Sequence, residues 1–149
     1  MAEKVLPRQM KDLLKAGDIT ELKKVFSECD PNAIADKMYC SNIFSLAPMP
    51  REFAFWAKEQ GADVNFRDPY GETPIFLIIR KDADVKLLID LGAEIEAVRP
   101  DGWTPLHMAV SRGRTKAARA LLKAGANIDA QTNTTNTLYQ TSEKSSSTS

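Results

Sequence analysis

The stretch Asp101-Gly102-Trp103-Thr104-Pro105-Leu106-His107-Met108-Ala109 decides the fold of this chain, together with Leu121-Leu122-Lys123-Ala124-Gly125-Ala126-Asn127. Thr104 is placed to cap a helix, and Pro105 takes the first helical position, where a backbone N–H would have had no partner. A second helix is predicted after the turn, and Gly125 supplies the left-handed backbone that ends it. The inward face of this second helix is expected to contain Ala117, Ala118, Leu121 and Leu122.

The stretch is one copy of an internal repeat. Gly-Ala pairs occur at Gly61-Ala62, Gly92-Ala93 and Gly125-Ala126, which are 31 and 33 residues apart, and Gly71-Glu72-Thr73-Pro74 repeats the Gly-x-Thr-Pro step. A period in the low thirties with two apolar runs in each unit is typical of stacked helix pairs. Because a single unit cannot bury its own apolar face, we expect each unit to be stabilised by its neighbours.

These residues resemble the ankyrin repeat, and residues 98–130 follow the pattern of that family most closely. The resemblance implies an all-α solenoid of stacked helix-turn-helix units that are joined by β-hairpin-like loops. It divides an ankyrin-repeat domain over residues 1–130 into the units 3–34, 35–66, 67–97 and 98–130. The third unit is two residues shorter than the fourth, and we place the loss in the turn between its helices, near residues 81–84.

The two ends of this domain depart from the family pattern. In the first unit, residues 10–16 and 20–26 are expected to form a helix pair, which residues 30–32 close. In the second unit, Pro48-Met49-Pro50 is expected to end the first helix early, because proline cannot continue it. Residues 131–149 begin like a degenerate fifth unit, but 15 of these 19 residues are Thr, Ser, Asn or Gln, a composition typical of a disordered tail. An export or regulatory signal is the alternative for this polar, Ser/Thr-rich tail.

The composition limits the partners and the compartment. The 20 basic and 20 acidic side chains give a net charge of zero, which argues against nucleic acid or a membrane surface as the partner. No apolar run is long enough to span a bilayer, and the first residues lack the apolar stretch of a secretory signal. The two cysteines cannot form a disulfide framework, which fits a reducing compartment. We expect a cytoplasmic protein and a monomer, although a poorly capped repeat end could stack on another copy.

The sequence offers no arrangement typical of catalysis, and we expect no enzyme activity, no cofactor and no metal site. His107 is the single histidine, and a general base would also need a reaction partner beside it. In the family this imidazole usually bonds backbone groups in the adjoining turn, so we expect a structural role. Cys29 and Cys40 lack the further cysteines and histidines that a tetrahedral metal site needs. We expect Cys29 to be buried and Cys40 to lie at a turn tip.

The resemblance also implies where a partner would bind. Ankyrin repeats bind partner proteins with their turn tips and with the exposed sides of their first helices, which line a concave face. Tyr70 and Trp103 fall at turn tips, and interface hot spots are enriched in such side chains. The alternative is that these two rings pack against each other or against the neighbouring turn. The candidate contact residues are Met38, Met49, Tyr70, Glu72, Arg80, Lys81, Asp101, Trp103, Met108 and Arg112.

Positive charge lies beside this aromatic centre, at Arg80, Lys81, Arg112 and Arg114. The expected partner is therefore a protein with acidic and apolar groups. The predicted function is a non-enzymatic protein-protein interaction module that acts as an adaptor or as an inhibitor. The alternative is the recognition domain of a larger enzyme or secreted effector, which the half-begun fifth unit favours slightly.

Overall fold

The computed structural model describes residues 3–35, 41–46 and 48–127. This part of the chain contains two short strands, seven α-helices and one 3₁₀ helix. The strands are β1 (Glu3–Val5) and β2 (Cys29–Ile34), and the 3₁₀ helix is Ile43–Leu46. Met38, Cys40 and the predicted tail at 131–149 lie outside the described residues. The α-helices are α1 (Gln9–Ala16), α2 (Ile19–Ser27), α3 (Arg51–Glu59), α4 (Pro74–Arg80), α5 (Lys86–Asp90), α6 (Pro105–Ser111) and α7 (Thr115–Lys123).

The helices form two rows that run along the stack. The first row contains α1, the 3₁₀ helix, α4 and α6, and the second row contains α2, α3, α5 and α7. Within the first row, α4 packs against both the 3₁₀ helix and α6. Within the second row, α2 packs against α3, and α5 packs against α7. This arrangement confirms the predicted all-α solenoid of stacked helix pairs, while the exact boundaries of the four units stay a prediction.

Two of the first-row helices begin as the sequence predicts. Helix α4 begins at Pro74 after Thr73, and α6 begins at Pro105 after Thr104. In both cases the threonine has an extended backbone, and the proline takes the position whose N–H has no acceptor inside the helix. Gly125 follows α7 with φ of 102°, the left-handed conformation expected of a residue that ends a helix.

Hairpin-like loops precede both of these helices. The N–H groups of Asp68 and Arg99 each donate to the carbonyl oxygen four residues further on, at 3.0 and 2.9 Å. Gly71 lies at the tip of the first loop with φ of 77°, and a Cβ atom there would come within 2.7 Å of Pro100 in the next loop. The two turn tips are therefore in close contact, and a glycine is required between them.

The core runs through both rows. Phe26 of α2 packs edge-on against Phe53 and Trp56 of α3, with ring centroids 5.7 and 5.9 Å apart. Helix α4 is buried at every position from Pro74 to Ile79, because neighbouring elements of its own row cover it on two sides. A helix buried all round has no polar face, so α4 is apolar from Pro74 to Ile79, and its charged residue, Arg80, lies at its C-terminal end.

A parallel strand pair, which the sequence did not predict, closes the N-terminal end. Strand β1 pairs with β2, with Glu3 opposite Cys29 and Val5 opposite Ile34. Residues 30–32, which were expected only to close the first unit, form part of β2. A strand of three residues is too short to show an alternating pattern, and its partner is distant in the sequence. Cys29 is buried at the start of β2, as expected.

The shortening of the third unit lies where its turn joins its second helix. The turn bond from Ala83 N–H to the Ile78 carbonyl (3.1 Å) repeats, 31 residues later, as Arg114 to Ala109 (2.8 Å). Asp82 even takes the left-handed conformation, with φ of 58°, that a glycine has in the fourth unit. Helix α5 has five residues where α7 has nine. The bond from Ala93 N–H to the Leu88 carbonyl repeats 33 residues later, so the two missing residues lie between Ala83 and Leu88, close to the predicted position near residues 81–84.

The inward face predicted for α7 is correct at three of its four positions. Ala117 and Leu121 are buried and Ala118 is partly buried, whereas Leu122 is 41% exposed. Its exposure contradicts the prediction. Within the described residues no helix follows α7 in the stack, so nothing there covers this side of it.

Candidate binding surface

Three grooves run side by side along the first row of helices. The groove at the N-terminal end has a volume of about 520 Å³, the central groove about 410 Å³, and the groove between the turn tips about 520 Å³. Lys11, Leu46 and Lys81 line both the end groove and the central groove, and Arg80 and Arg112 line both the central groove and the tip groove. The three grooves are therefore continuous, and together they are called the first-row surface below.

Tyr70 is the most exposed aromatic side chain on this surface. It lines the tip groove beside Pro100 and Arg112, and it is 62% exposed. Its backbone N–H donates to the Asp68 carboxylate at 2.9 Å, which fixes the turn that presents the ring. Among the ring contacts of the described residues, Tyr70 does not pair with Trp103, so the alternative that these two rings pack together does not apply.

Trp103 is held more tightly than Tyr70. The Arg99 guanidinium lies 5.5 Å from the centre of its ring, and the ring of His107 lies at 6.1 Å with a tilt of 42°. The indole is partly buried by these neighbours, one from its own turn and one from α6. The Trp103 ring therefore packs against Arg99 and His107 within the protein, and its contribution to a partner contact stays a prediction.

Glu72 lies beneath the tip groove rather than at its surface. Its carboxylate is 3% exposed and accepts two hydrogen bonds from the Arg80 guanidinium and one from Arg99 at 3.1 Å. Bonds of this bidentate kind fix the orientation of an arginine as well as adding energy. As a candidate contact residue, Glu72 thus acts by positioning two cations at the groove.

The charge of Asp101 at the neighbouring turn tip is stabilised locally. Arg99 binds its carboxylate through both Nε and Nη2, and the Trp103 N–H donates to it at 3.1 Å. Burial by itself would raise the pKa of the Asp101 carboxyl, but these bonds and the arginine charge outweigh burial and hold the pKa below the ordinary 3.8. Asp101 is therefore ionised at neutral pH, on the rim of the tip groove.

Asp68 supports the same turn at an energetic cost. One oxygen of its carboxylate accepts from the N–H groups of Tyr70 and Glu72, each at 2.9 Å. The other oxygen is buried and has no hydrogen-bond partner among the described residues. Burial raises the pKa of the Asp68 carboxyl above 3.8, against the effect of the two backbone bonds.

The central groove is lined by cations, and no acidic side chain lines it among the described residues. Lys11 of α1, Arg80 and Lys81 at the end of α4, and Arg112 after α6 line it together with Leu46 and Leu77. The Lys81 ammonium donates to the Ser45 carbonyl at 2.6 Å, and Arg112 Nε lies 3.3 Å from the sulfur of Met108. Met108 is itself buried, so this candidate residue supports Arg112 rather than forming a surface contact.

The remaining candidate residues divide between surface and interior. Met49 lines the end groove with Leu14 and Pro48, although most of its side chain is buried. Arg114, expected to add charge for a partner, donates instead to the carbonyl oxygens of Ile79 and Arg80 at 3.1 and 2.9 Å. That side chain joins two units of the stack.

His107 has the structural role expected of it. Its Nδ1 accepts from the backbone N–H of Thr104 at 3.1 Å, and the Thr104 hydroxyl oxygen accepts from the His107 N–H at 3.3 Å. This reciprocal pair is a capping box, in which a histidine takes the place that glutamate or glutamine usually has.

Several residues of this surface were not predicted, among them Lys11, Ser41 and Arg99. Lys11 lies on the exposed side of α1, and the apolar residues of that helix, Met10 and Leu14, would have indicated this side by their spacing. Arg99 stands two residues before Asp101, but only the folded turns bring it to Glu72 as well. Neither residue follows from the repeat pattern.

Residues 3–35, 41–46 and 48–127 contain neither a metal-binding cluster nor a membrane-spanning helix. These residues contain no group of three histidine, cysteine or acidic side chains that could hold a metal ion. They also contain no helix of the length and hydropathy needed to cross a membrane.

Comparison with known proteins gives a consistent result. The family profile described as ankyrin repeats (three copies) matches residues 46–132, more than half of the chain. An ankyrin repeat protein of Variola virus is 33% identical over 72 residues, which is 46% of this chain and 13% of that protein. A putative E3 ubiquitin-protein ligase of Arabidopsis thaliana is 40% identical over 72 residues, 45% of this chain and 16% of that protein. Protein phosphatase 1 regulatory subunit 27 of Mus musculus is 50% identical over 46 residues, 31% of this chain and 30% of that protein. The chain thus matches less than a third of the length of each of these relatives.

Proposed function

The chain belongs to the ankyrin-repeat family, and we propose that it is a non-enzymatic module that binds a partner protein on the first-row surface and its turn tips. Ankyrin repeats are generally protein-protein interaction modules, which supports the general part of this proposal. The observation that carries the specific part is the continuity of the three grooves beside the exposed ring of Tyr70. A large amphipathic side chain held on a fixed turn adds contact area with little loss of conformational entropy.

The chemistry of the surface favours a partner with acidic and apolar groups. Cations line the central groove, and apolar side chains line the end groove at Leu14, Leu46 and Met49. Such a module acts as an adaptor, or as an inhibitor when it covers the active site of its partner. One relative is named as a regulatory subunit of protein phosphatase 1, which supports a regulatory role for this chain without identifying its target. We further propose that the module works as a monomer in the cytoplasm, with neither nucleic acid nor membrane as its partner.

The test is affinity capture from the native source with three forms of the protein. Wild type is compared with Tyr70→Ala and with Leu122→Ala, a matched apolar truncation on α7, away from the first-row surface. Circular dichroism and thermal melting show that all three are folded. We expect a partner that wild type and Leu122→Ala retain and that Tyr70→Ala loses, with binding weakened by about 2 kcal/mol. A partner retained equally by all three would place the interface elsewhere and refute the proposed surface.

The second candidate is the recognition domain of a larger enzyme or secreted effector. The low coverage of the relatives favours it, since one of them is named as a putative E3 ubiquitin-protein ligase and the chain matches 16% of its length. In that case the repeats would bind the substrate of a catalytic domain elsewhere in the protein. Reading the open frame past Ser149 distinguishes the two candidates, because a catalytic domain there supports the second and a stop codon weakens it.

A further inference from the structure

The central groove has the composition of an anion-binding site. Four cationic side chains line its volume of about 410 Å³, and none of the described residues that line it is acidic. Two of the cations, Lys11 and Arg112, have no salt bridge within the described part of the chain. Lys11 lies on α1 and Arg112 directly follows α6, so among the described residues these two cations have no acidic partner at either end of the row.

A buried hydroxyl group in the same groove also lacks a partner. Ser41 lines the groove, is 1% exposed, and its Oγ forms no hydrogen bond to any described group. Buried hydroxyl groups in folded proteins nearly always have a partner, so the wall of this groove holds one hydroxyl whose hydrogen-bonding capacity no described group uses.

The distribution of the charges distinguishes between kinds of anion. A single phosphoryl group is bound best where several donors converge on one point. Here the cations are spread over three elements of the row, α1, α4 and the turn after α6. The groove also continues at both ends, into the end groove, where five apolar residues lie beside three lysines, and into the tip groove beside Tyr70. This shape fits an extended chain with several charges rather than one compact group.

From these observations we infer that the central groove binds a run of aspartate or glutamate side chains in an extended segment of the partner. An apolar side chain of the same segment occupies the end groove, against Leu46 and Met49. The carboxylates of Glu72 and Asp101 in the tip groove limit the acidic run to the central part of the surface. This inference rests on the proposed function and adds the chemical class of the segment that the surface recognises.

The test uses a fluorescently labelled peptide in which a run of glutamates lies between leucines, and a matched peptide with glutamine at each glutamate. Binding is measured by fluorescence anisotropy at low and at physiological ionic strength. The test variant is Lys11→Gln/Arg112→Gln, and the control is Lys116→Gln/Lys123→Gln, which removes the same charge from α7, outside the three grooves. We expect the glutamate peptide to bind wild type about tenfold tighter than the glutamine peptide, with a loss of about tenfold in the test variant and less than about twofold in the control. Added salt should weaken binding of the glutamate peptide alone.

Several results would overturn the inference. These are equal affinity for the two peptides, equal affinity of the test and control variants, or no saturable binding of the glutamate peptide at low salt. A peptide with one phosphoserine that binds tighter than the glutamate peptide would assign the groove to phosphorylated partners. Displacement of the peptide by single-stranded DNA of equal charge at lower concentration would assign it to nucleic acid.

The partner captured with wild type separates this inference from the proposed function. If that partner is lost by Tyr70→Ala and retained fully by Lys11→Gln/Arg112→Gln, the module binds proteins on the first-row surface but the acidic subsite is wrong. If it is lost by both variants and retained by Lys116→Gln/Lys123→Gln, both conclusions stand. If both variants retain it, both conclusions fail.

Discussion

Two threonines that occupy equivalent positions in neighbouring units should respond in opposite ways to the same substitution. The Thr104 hydroxyl oxygen accepts from the His107 N–H at 3.3 Å and lies 2.9 Å from the His107 ring nitrogen. In the preceding unit Phe76 stands where the histidine would be, and the buried hydroxyl of Thr73 has no partner among the described residues. The threonine is therefore repeated in the two units, whereas the helix cap is formed only at Thr104. Substitution by valine at Thr73 and at Thr104 tests this difference.

The magnitude follows from the bonds that each substitution removes. Thr104→Val deletes the hydroxyl that caps α6, at a cost of about 1 kcal/mol, and a second side-chain bond to His107 worth about another 1 kcal/mol. Thr73→Val removes a buried hydroxyl that no described group satisfies, so we expect no loss and a gain of up to about 1 kcal/mol. The two variants should thus differ by roughly 2 to 3 kcal/mol, or by roughly 5 to 10 °C in melting temperature.

The assay is urea denaturation followed by circular dichroism, with thermal melting as a second measurement. If the unfolding free energy falls with urea concentration at the same slope in wild type and variants, the substitutions have not changed the surface that unfolding exposes. The reasoning is refuted if the two substitutions cost the same, or if Thr73→Val destabilises the protein by more than Thr104→Val does.

Three further substitutions test the buried charges and the turn contact. Glu72→Gln should cost about 2 kcal/mol in urea denaturation, because it removes the buried negative charge and replaces one acceptor oxygen with an NH2 group that faces the arginines. Glu52→Gln removes an exposed pair at 3.7 Å and should cost less than about 0.5 kcal/mol. Asp68→Asn should stabilise the protein at neutral pH, because the raised pKa of the Asp68 carboxyl means that its ionised form disfavours the fold. Melting temperatures measured at several pH values should show that this gain disappears as the pH falls towards 3.8. Gly71→Ala should cost about 1 kcal/mol more than Gly113→Ala in the same assay, because both have positive φ but only the first would clash with the next turn tip.

Each of these expectations has a result that contradicts it. Equal effects of the two glutamate substitutions would mean that the buried ion pairs add no more than the exposed one. A loss of stability for Asp68→Asn at neutral pH would mean that the two backbone bonds need a full negative charge. Equal costs at the two glycines would mean that the turn tips separate readily.

The repeat pattern alone was sufficient to predict the solenoid, and local chemistry explains why. Thr104 and Pro105 specify the start of a helix, and Gly125 specifies an end, through interactions within a few residues. Stacked repeats contact only their neighbours, so correct local structure at a fixed period leaves few alternatives for the whole. The same locality explains the cap at His107, three residues from the threonine that it bonds.

The features that the sequence did not predict all depend on contacts between residues that are far apart in the chain. β1 pairs with a strand 26 residues further on, and Arg99 reaches Glu72 from 27 residues away. Glu72 was predicted to be a contact residue because of its position in the turn. The fold instead buries it between Arg80 and Arg99, where it orients the cations of the groove.

The candidate surface also depends partly on the repeat pattern and partly on the tertiary structure. The sequence determined which residues stand at turn tips and on first helices, because those positions follow from the repeat, and it therefore identified Tyr70, Arg80 and Arg112. Only the tertiary structure joined α1, the 3₁₀ helix, α4 and α6 into one continuous surface. The reason is physical: whether a charged side chain is neutralised depends on every group within a few ångströms, and in a stack those groups come from neighbouring units some thirty residues away.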